Sequence, residues 1–418
     1  MFAHDSSDVV IIGGGAAGLM AGIWARRAHG GLHVVILESA RKPGAKILVA
    51  GGGRCNVTHD HVDEGAFAGS SRPAIRRVLR RFDVQATVEF FGEIGVKLKR
   101  EPTGKLFPDT DKARTVLEAL LRAAAAAGVE LLHPRRVESV RRDDTGFLVE
   151  GPAAGSAAWG ALRARRVILA TGGCSLPRSG SDGRGYEIAR SLGHSVTPRV
   201  LPALVPLVLS DGCFLRGLSG LSAQACLQVR SSTGRRLVSF TGPVLCTHFG
   251  LSGPAVLDIS RYYIDAVLDD QGAHLVINWL ADETLDSADA LLLGLGRSGP
   301  LGALRSRLPE RLARALCLES GVDPSEPGSR IPRDRRRALA SALTEMRLPV
   351  TGHRGFNVAE VTAGGVPLSE LHLGTMASRR CDGLSLCGEI CDVDGRIGGF
   401  NFQWAWASGY VAGVSAGD

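Results

Sequence analysis

The stretch Asp8-Val9-Val10-Ile11-Ile12-Gly13-Gly14-Gly15-Ala16-Ala17-Gly18 decides the fold. Val9 to Ile12 is a short, continuous run of β-branched residues, the pattern of a strand buried on both faces of a parallel sheet. It runs directly into G-x-G-x-x-G, formed by Gly13, Gly15 and Gly18. Leu19 to Ala28 is Ala-rich and predicts a helix. His33-Val34-Val35-Ile36-Leu37 predicts a second strand, which ends in Glu38, 20 residues after Gly18. Turn glycines let the backbone approach a pyrophosphate at a helix N-terminus. There, around Ala16 and Ala17, unpaired N–H groups and the helix dipole favour negative charge. A carboxylate after the second strand is placed to accept hydrogen bonds from ribose hydroxyls. The stretch reads as a complete dinucleotide-binding unit.

A second match, Gly294-Leu295-Gly296-Arg297-Ser298-Gly299, lacks this setting. Pro300 follows it and Leu308 to Leu318 looks helical, so it reads as a helix end and loop.

The 418 residues suffice for two or three domains. A hydrophobic content of 44% with 22% charged residues fits a soluble globular protein, and no apolar run is long enough to span a bilayer. His4 and Asp5 stand where a signal peptide would carry basic residues. The nine cysteines are scattered without a C-x-x-C pair, which fits a reducing cytoplasm rather than a zinc site or a disulfide framework. Net charge is +7, and with only six lysines the cations are mostly arginine. Arg72, Arg76, Arg77, Arg80 and Arg81 form one cluster, and Arg330, Arg333, Arg335, Arg336 and Arg337 another. Such clusters draw in anionic partners, RNA phosphates included; solvated faces from an arginine-rich composition are the alternative.

Residues 1–194 alternate strands and helices. Helices are predicted over 74–81, 84–94, 113–127 and 183–192, and strands over 129–132, 135–141 and 165–170. From 195 to 280 prolines and short β-like runs suggest a β-rich insertion, and 281–350 reads as mostly helical. From 351 the α/β texture returns, with strands over 356–362 and 383–389 and a helix over 401–412. The nucleotide domain is thus discontinuous, 1–194 plus 351–418.

FAD fits better than NAD as the resident dinucleotide. Ala170-Thr171-Gly172-Gly173 is a strand end whose small residues allow a bound group to pass close to the backbone. Gly388-Glu389 stands at another strand end, followed by Gly395, Gly398, Gly399 and a helix near Phe400 and Asn401. A carboxylate there can bond a ribityl hydroxyl, and the helix N-terminus can stabilise negative charge at the N1/O2 edge of the flavin. Asp394 and Arg396 flank these glycines at the ribityl or pyrimidine end, and Val137, in the 135–141 strand, is counted among the cofactor contacts.

The chain resembles bacterial flavoproteins of the glutathione-reductase-like superfold whose hallmark is a G-G-G-R-C-N loop, here Gly51-Gly52-Gly53-Arg54-Cys55-Asn56. The likeness continues through Gly104-Lys105-Leu106-Phe107-Pro108, Thr171-Gly172-Gly173, Thr247-His248-Phe249-Gly250 and Thr362-Ala363-Gly364-Gly365. It ends in Cys387-Gly388-Glu389 and Gly398-Gly399-Phe400-Asn401. His59 and Cys387 depart from the common residues, Asn and Ala, and Cys391 is not usual there. The resemblance implies an α/β fold: a Rossmann-like FAD-binding domain with an inserted β-barrel-like domain (195–280) and a small helical domain (281–350). It also implies an NAD(P)H-linked oxidoreductase, with NAD(P)H as a transient reductant. Family activities include reduction of an activated C=C bond in enones and of a uracil in ribosomal RNA to dihydrouridine. The partner is accordingly a small-molecule substrate or ribosomal RNA; a flavin oxidase and a non-catalytic FAD-binding protein are further alternatives.

Two residues are candidate proton donors. Cys55 follows Arg54, whose guanidinium would lower the thiol pKa. His248 lies in a Gly/Ser/Pro turn of the insertion, and histidine is a capable general acid near neutral pH. Lys46, Gly53 and Arg54 are placed to meet the pyrophosphate or substrate. Trp404 and Trp406 lie two apart on one helix and so face different sides, with at least one of them in the core.

Overall fold

The apolar runs read as strands form the middle of a parallel sheet. In the computed structural model, which describes residues 6–152 and 159–418, Ser6–Ile12 pairs in parallel with Val34–Leu37 on one side and with Ala161–Leu169 on the other. Glu130–Leu132 extends the sheet beyond Val34–Leu37, and Leu384–Leu386 lies in parallel beside Ala161–Leu169. Val9–Ile12 and Val34–Leu37 are buried, as strands covered on both faces must be. His4 and Asp5 lie outside the described residues.

The chain forms two compact units, Met1–Pro202 with Glu360–Asp418, and Ala203–Ala359. The breaks therefore fall several residues beyond the expected 194/195 and 350/351. In the first unit the Ala16–Ala28 helix packs against the final helix, Phe400–Val414. Glycines permit the approach: a Cβ on Gly409 would meet the Ala17 carbonyl oxygen at 2.5 Å, and one on Gly413 the Ala21 carbonyl oxygen at 2.5 Å. Four residues apart, the two lie on one helix face. Trp404 and Trp406 are both buried, so both belong to the core. The final helix is enclosed nearly all round.

Two strand expectations change. The ladder expected over 135–141 begins only at Ser139, because Arg135 N–H is spent on the Glu38 carbonyl and residues 133–138 run as loop. Ser139–Asp143 forms a hairpin with Gly146–Glu150, which pairs antiparallel with the start of Ala161–Leu169. The strand expected over 356–362 shrinks to Val361–Ala363, since Val358 and Ala359 N–H groups turn back onto the Gly355 carbonyl.

The second unit carries a seven-stranded antiparallel sheet. Its order is Met346–Arg347, His274–Asn278, Ser222–Arg230, Arg236–Thr247, Gly250–Ser252, Leu207–Leu209, Val350–His353. The two end strands are consecutive in sequence, joined by Leu348 and Pro349, so both sheet edges return to one corner and the sheet curls like a barrel. The helices expected to form a small separate domain share its core instead. Leu292, Leu312, Leu316 and Leu339 pack in one cluster with Leu227, Leu275 and Ile277. Each of these helices is apolar on one face and needs the sheet to cover it. Gly294 caps the Leu285–Leu293 helix and Pro300 begins the next, so the second G-x-G-x-x-G is a helix end and loop. No helix among the described residues is long and apolar enough to cross a membrane.

Candidate functional site

The first unit gathers most of the expected cofactor residues around the sheet's C-terminal edge. Each motif glycine has a separate task. Gly13 has φ of +109°, and a Cβ there would meet the Ala170 carbonyl oxygen at 2.4 Å. A Cβ on Gly18 would lie 1.9 Å from the Gly13 carbonyl oxygen, so Gly18 lets helix and turn close on each other. Gly15 is different: nothing lies within 4 Å of its Cβ position. That open space lies at the start of the Ala16–Ala28 helix, whose N-cap Gly15 offers no side-chain cap. Ala16, Ala17 and Gly18 form its first turn, where backbone N–H groups face outward.

Glu38 is buried and fixed at the end of the second strand. Its Oε2 accepts from Gly14 N–H at 2.7 Å and its Oε1 from Ala40 N–H at 2.6 Å. Val137 is buried in the adjoining 133–138 loop, whose Arg135 N–H holds the Glu38 carbonyl at 2.6 Å.

Lys46 meets neither a turn nor solvent alone. Its Nζ donates to Glu389 Oε2 at 2.6 Å and to Ser181 Oγ at 3.0 Å. Glu389 Oε1 accepts from Thr362 N–H at 3.0 Å. Ser181 in turn lies under Gly172, where a Cβ would come within 2.7 Å of its hydroxyl. Thr171, Gly172, Lys46 and Glu389 thus belong to one cluster. Gly388 (φ +78°) packs on Ala17, and its carbonyl accepts from Trp404 Nε1 at 3.0 Å, tying the cluster to the final helix.

At the head of that helix, Asn401 clamps Gly395 through its N–H and carbonyl at 2.8 and 2.9 Å. Gly399 (φ +95°) is the N-cap, pressed against the Thr58 backbone, with Gly398 (φ +131°) before it. Phe400 stacks on His59, ring centres 5.0 Å apart, and Asp394 is buried on the Val393–Gly395 strand. The helix end can favour negative charge where it opens.

The Gly51–Asn56 loop departs from expectation. Arg54 stacks over Phe107 at 4.0 Å and donates to Glu101 at 2.6 Å, with Asp111 at 3.5 Å. Its charge is spent on these acids. Cys55 is fully buried, and burial pushes its thiol up to about 12 rather than down. We expect Cys55 to resist alkylation by iodoacetamide at pH 8 in the folded, flavin-loaded protein, as read by mass spectrometry; rapid labelling would contradict the burial. Gly53 is exposed at the loop's end.

Asn56 was missed by sequence reasoning, although it stands in the quoted loop. It is buried, and its Oδ1 has no hydrogen-bond partner among the described residues. A buried carbonyl-type acceptor without a donor is costly unless a ligand supplies one. With the open space at Gly15, this orphaned oxygen fits a bound cofactor with ring N–H groups.

His248 belongs to the second unit. It is exposed, set edge-on to Phe249 at 5.1 Å, and its carbonyl accepts from Arg216 Nε at 2.9 Å. Of the second arginine cluster, Arg336 is not a solvated charge: it pairs with Asp289 at 2.9 Å.

The chain is similar to known proteins over nearly its whole length. The profile of the "HI0933-like protein Rossmann domain" family matches residues 7–415. The chain is 35% identical over 414 residues to a 3-dehydro-bile acid delta(4,6)-reductase of Clostridium scindens, covering 98% of both chains. It is 34% identical over 412 residues to a ribosomal RNA dihydrouridine synthase of Escherichia coli, covering 97% of this chain and 96% of the relative. Among solved structures it is similar to a 3-ketosteroid delta1-dehydrogenase of Sterolibacterium denitrificans, with TM-score 0.53, 14% identity and coverage of 99% and 100%. That likeness concerns the fold alone. The chain belongs to the HI0933-like family, and it is a flavoprotein oxidoreductase with an FAD-binding Rossmann-like α/β fold.

Proposed function

We propose that this flavoprotein reduces a C=C bond conjugated to a carbonyl, with NAD(P)H as the transient electron source. The observation that carries this reading is the full-length likeness to two relatives whose names describe one type of reaction. A delta(4,6)-reductase and a dihydrouridine synthase both saturate an alkene next to a carbonyl. Bound FAD, once reduced by NAD(P)H, would supply the hydride for the β-carbon, and a proton would go to the α-carbon.

The chain's own residues divide the remaining work. The glycine turn and Glu38 hold the dinucleotide's pyrophosphate and ribose. Glu389, paired with Lys46 at 2.6 Å, accepts from a ribityl hydroxyl. The first turn of the Phe400–Val414 helix favours negative charge at the pyrimidine edge, and Asn56 Oδ1 accepts from a ring N–H. His248 supplies the proton; a thiol raised to about 12 is a poor acid near neutral pH, so Cys55 serves as packing.

The test is anaerobic. Enzyme reduced with NADH or NADPH is mixed with a 3-oxo-4,6-diene steroid, and flavin reoxidation is followed with product mass. Failure to reoxidise would remove the small-molecule reading. His248→Asn is expected to lower kcat about 100-fold with flavin content unchanged; an unaltered kcat would return the proton to another donor.

A second reading is reduction of uridine in ribosomal RNA. Exposed arginines favour it: Arg72, Arg77, Arg80 and Arg81 on one unit, and Arg330, Arg333, Arg335 and Arg337 on the other. Nucleoside mass spectrometry of ribosomal RNA from a deletion strain decides it. Unchanged dihydrouridine would discard it.

A further inference from the structure

A cavity of about 640 Å3 opens in the first unit between the start of the Arg72–Leu79 helix and the loop over 367–379. None of its lining residues belongs to the cofactor cradle described above. Arg77, Arg379 and His372 converge on it with Ser71, Ser369 and the apolar side chain of Leu373. One carboxylate, Asp392, also lines it, and Ser70 Oγ donates to that carboxylate at 3.4 Å. The cationic groups outnumber the anion.

These cations are kept available. Elsewhere in the unit arginines meet carboxylates: Arg27 with Glu93, Arg163 with Asp143, and Arg76, the immediate neighbour, with Glu64. Arg77 has no such partner among the described residues. Arg379 Nε donates to the Leu371 carbonyl at 3.0 Å, which orients the guanidinium and leaves its terminal amines for a ligand. Ser71 precedes the helix, yet its hydroxyl makes no capping bond.

The wall is built in advance. Beneath it, buried Glu370 accepts from Ser195 Oγ at 2.9 Å and meets His194 Nδ1 at 2.8 Å. His194 Nε2 meets Ser378 Oγ at 2.8 Å, and that oxygen also accepts from Arg380 and Cys381 N–H at 2.9 Å each. Both ends of the loop are therefore held before any ligand arrives, which lowers the ordering cost of binding.

Two guanidinium groups, an imidazole and free hydroxyls are the chemistry of phosphate recognition. The volume and the apolar wall leave room for a ring beside the phosphate. We propose that this cavity binds a nucleotide, with its phosphate on Arg77 and Arg379 and its ring against Leu373. The inference does not depend on the redox substrate. A free nucleotide and a nucleotide unit of RNA share this chemistry, and exposed Arg80 and Arg81, one helical turn beyond Arg77, lie where flanking RNA phosphates would extend.

The test titrates flavin-loaded protein, so that the cradle is filled, with ADP, with 2′,5′-ADP and with a single-stranded RNA decamer at fixed salt. Saturable binding of at least one probe is expected, weakened about tenfold by Arg77→Gln and by Arg379→Gln. Arg235→Gln, an exposed arginine of the second unit outside both arginine clusters, is expected to change nothing. ADP binding lost in Arg77→Gln assigns a free nucleotide; loss confined to the decamer assigns RNA. Absence of saturable binding by all three probes overturns the proposal. So does undiminished binding in Arg77→Gln, or an equal loss in Arg235→Gln. Unchanged flavin absorbance and melting temperature in Arg77→Gln confirm that the comparison is between folded proteins.

Discussion

Gly18→Ala is expected to purify without flavin, whereas Gly15→Ala is expected to fold nearly as well as the parent and to bind FAD weakly. The two positions stand three residues apart and meet opposite surroundings. A Cβ on Gly18 would lie 1.9 Å from the Gly13 carbonyl oxygen, far inside the 3.4 Å at which ordinary contact begins. The obstacle is backbone, so no side-chain rotation relieves it, and the helix or the turn must move. Overpacking of this kind costs about 1–3 kcal/mol in side-chain cores and more where nothing can yield. Turn and helix end together form the proposed phosphate seat, so we expect FAD affinity to fall at least about 100-fold, or about 2.7 kcal/mol. At Gly15 no atom lies within 4 Å of the Cβ position. Alanine there costs the apoprotein about 1 kcal/mol or less, as a poorer N-cap. Its methyl occupies the phosphate's approach, and affinity is expected to fall at least about tenfold. The measurements are calorimetric titration of apoprotein with FAD and denaturation of each apoprotein. Gly15→Ala binding FAD like the parent would show that the phosphates lie elsewhere.

Trp406→Ala is expected to remove about 3–5 kcal/mol of stability, the range for deleting a fully buried aromatic ring. The indole is completely buried, stacks with Phe402 at 5.4 Å and meets Phe91 edge-on at 5.3 Å. Its Nε1 also donates to the Val57 carbonyl at 2.9 Å, the bond that tethers the Gly51–Asn56 loop to the final helix. Trp406→Phe separates the two contributions. It keeps most of the packing but leaves a buried carbonyl unpaired, at about 1–3 kcal/mol. Urea denaturation of the apoproteins gives both values, free of any stabilisation by ligand. A loss under about 1 kcal/mol for the alanine variant would be incompatible with the packing described.

The parts of this site that are local in sequence could be read from sequence. Val9 to Gly18 and Glu38 carry their geometry within one βαβ unit, and Gly388-Glu389 with Gly398 to Asn401 announce a strand end and a helix start. The properties set by distant partners could not. Arg54 faces Glu101, 47 residues on, and so does nothing to lower the thiol of its own neighbour Cys55. Lys46 spends its charge on Glu389, 343 residues away, a pairing no local pattern encodes. The helices over 285–344 read as a domain of their own because their one-sided apolar faces say that they need a partner, not which one. Asn56 could have been suspected as the polar residue in a glycine-rich loop, but only its burial shows that its oxygen lacks a donor.

The seam between the first and last helices has a consequence for how the protein is made. Gly409 and Gly413 seat on Ala17 and Ala21, so the opening βαβ unit leaves the ribosome long before its covering helix exists. Until the Phe400–Val414 helix is made, the nascent chain exposes an apolar helix face and a half-built cradle, the kind of surface that chaperones shield. Coenzyme loading therefore waits for the Phe400–Val414 helix, and a ribosome stalled ahead of it should hold a colourless chain.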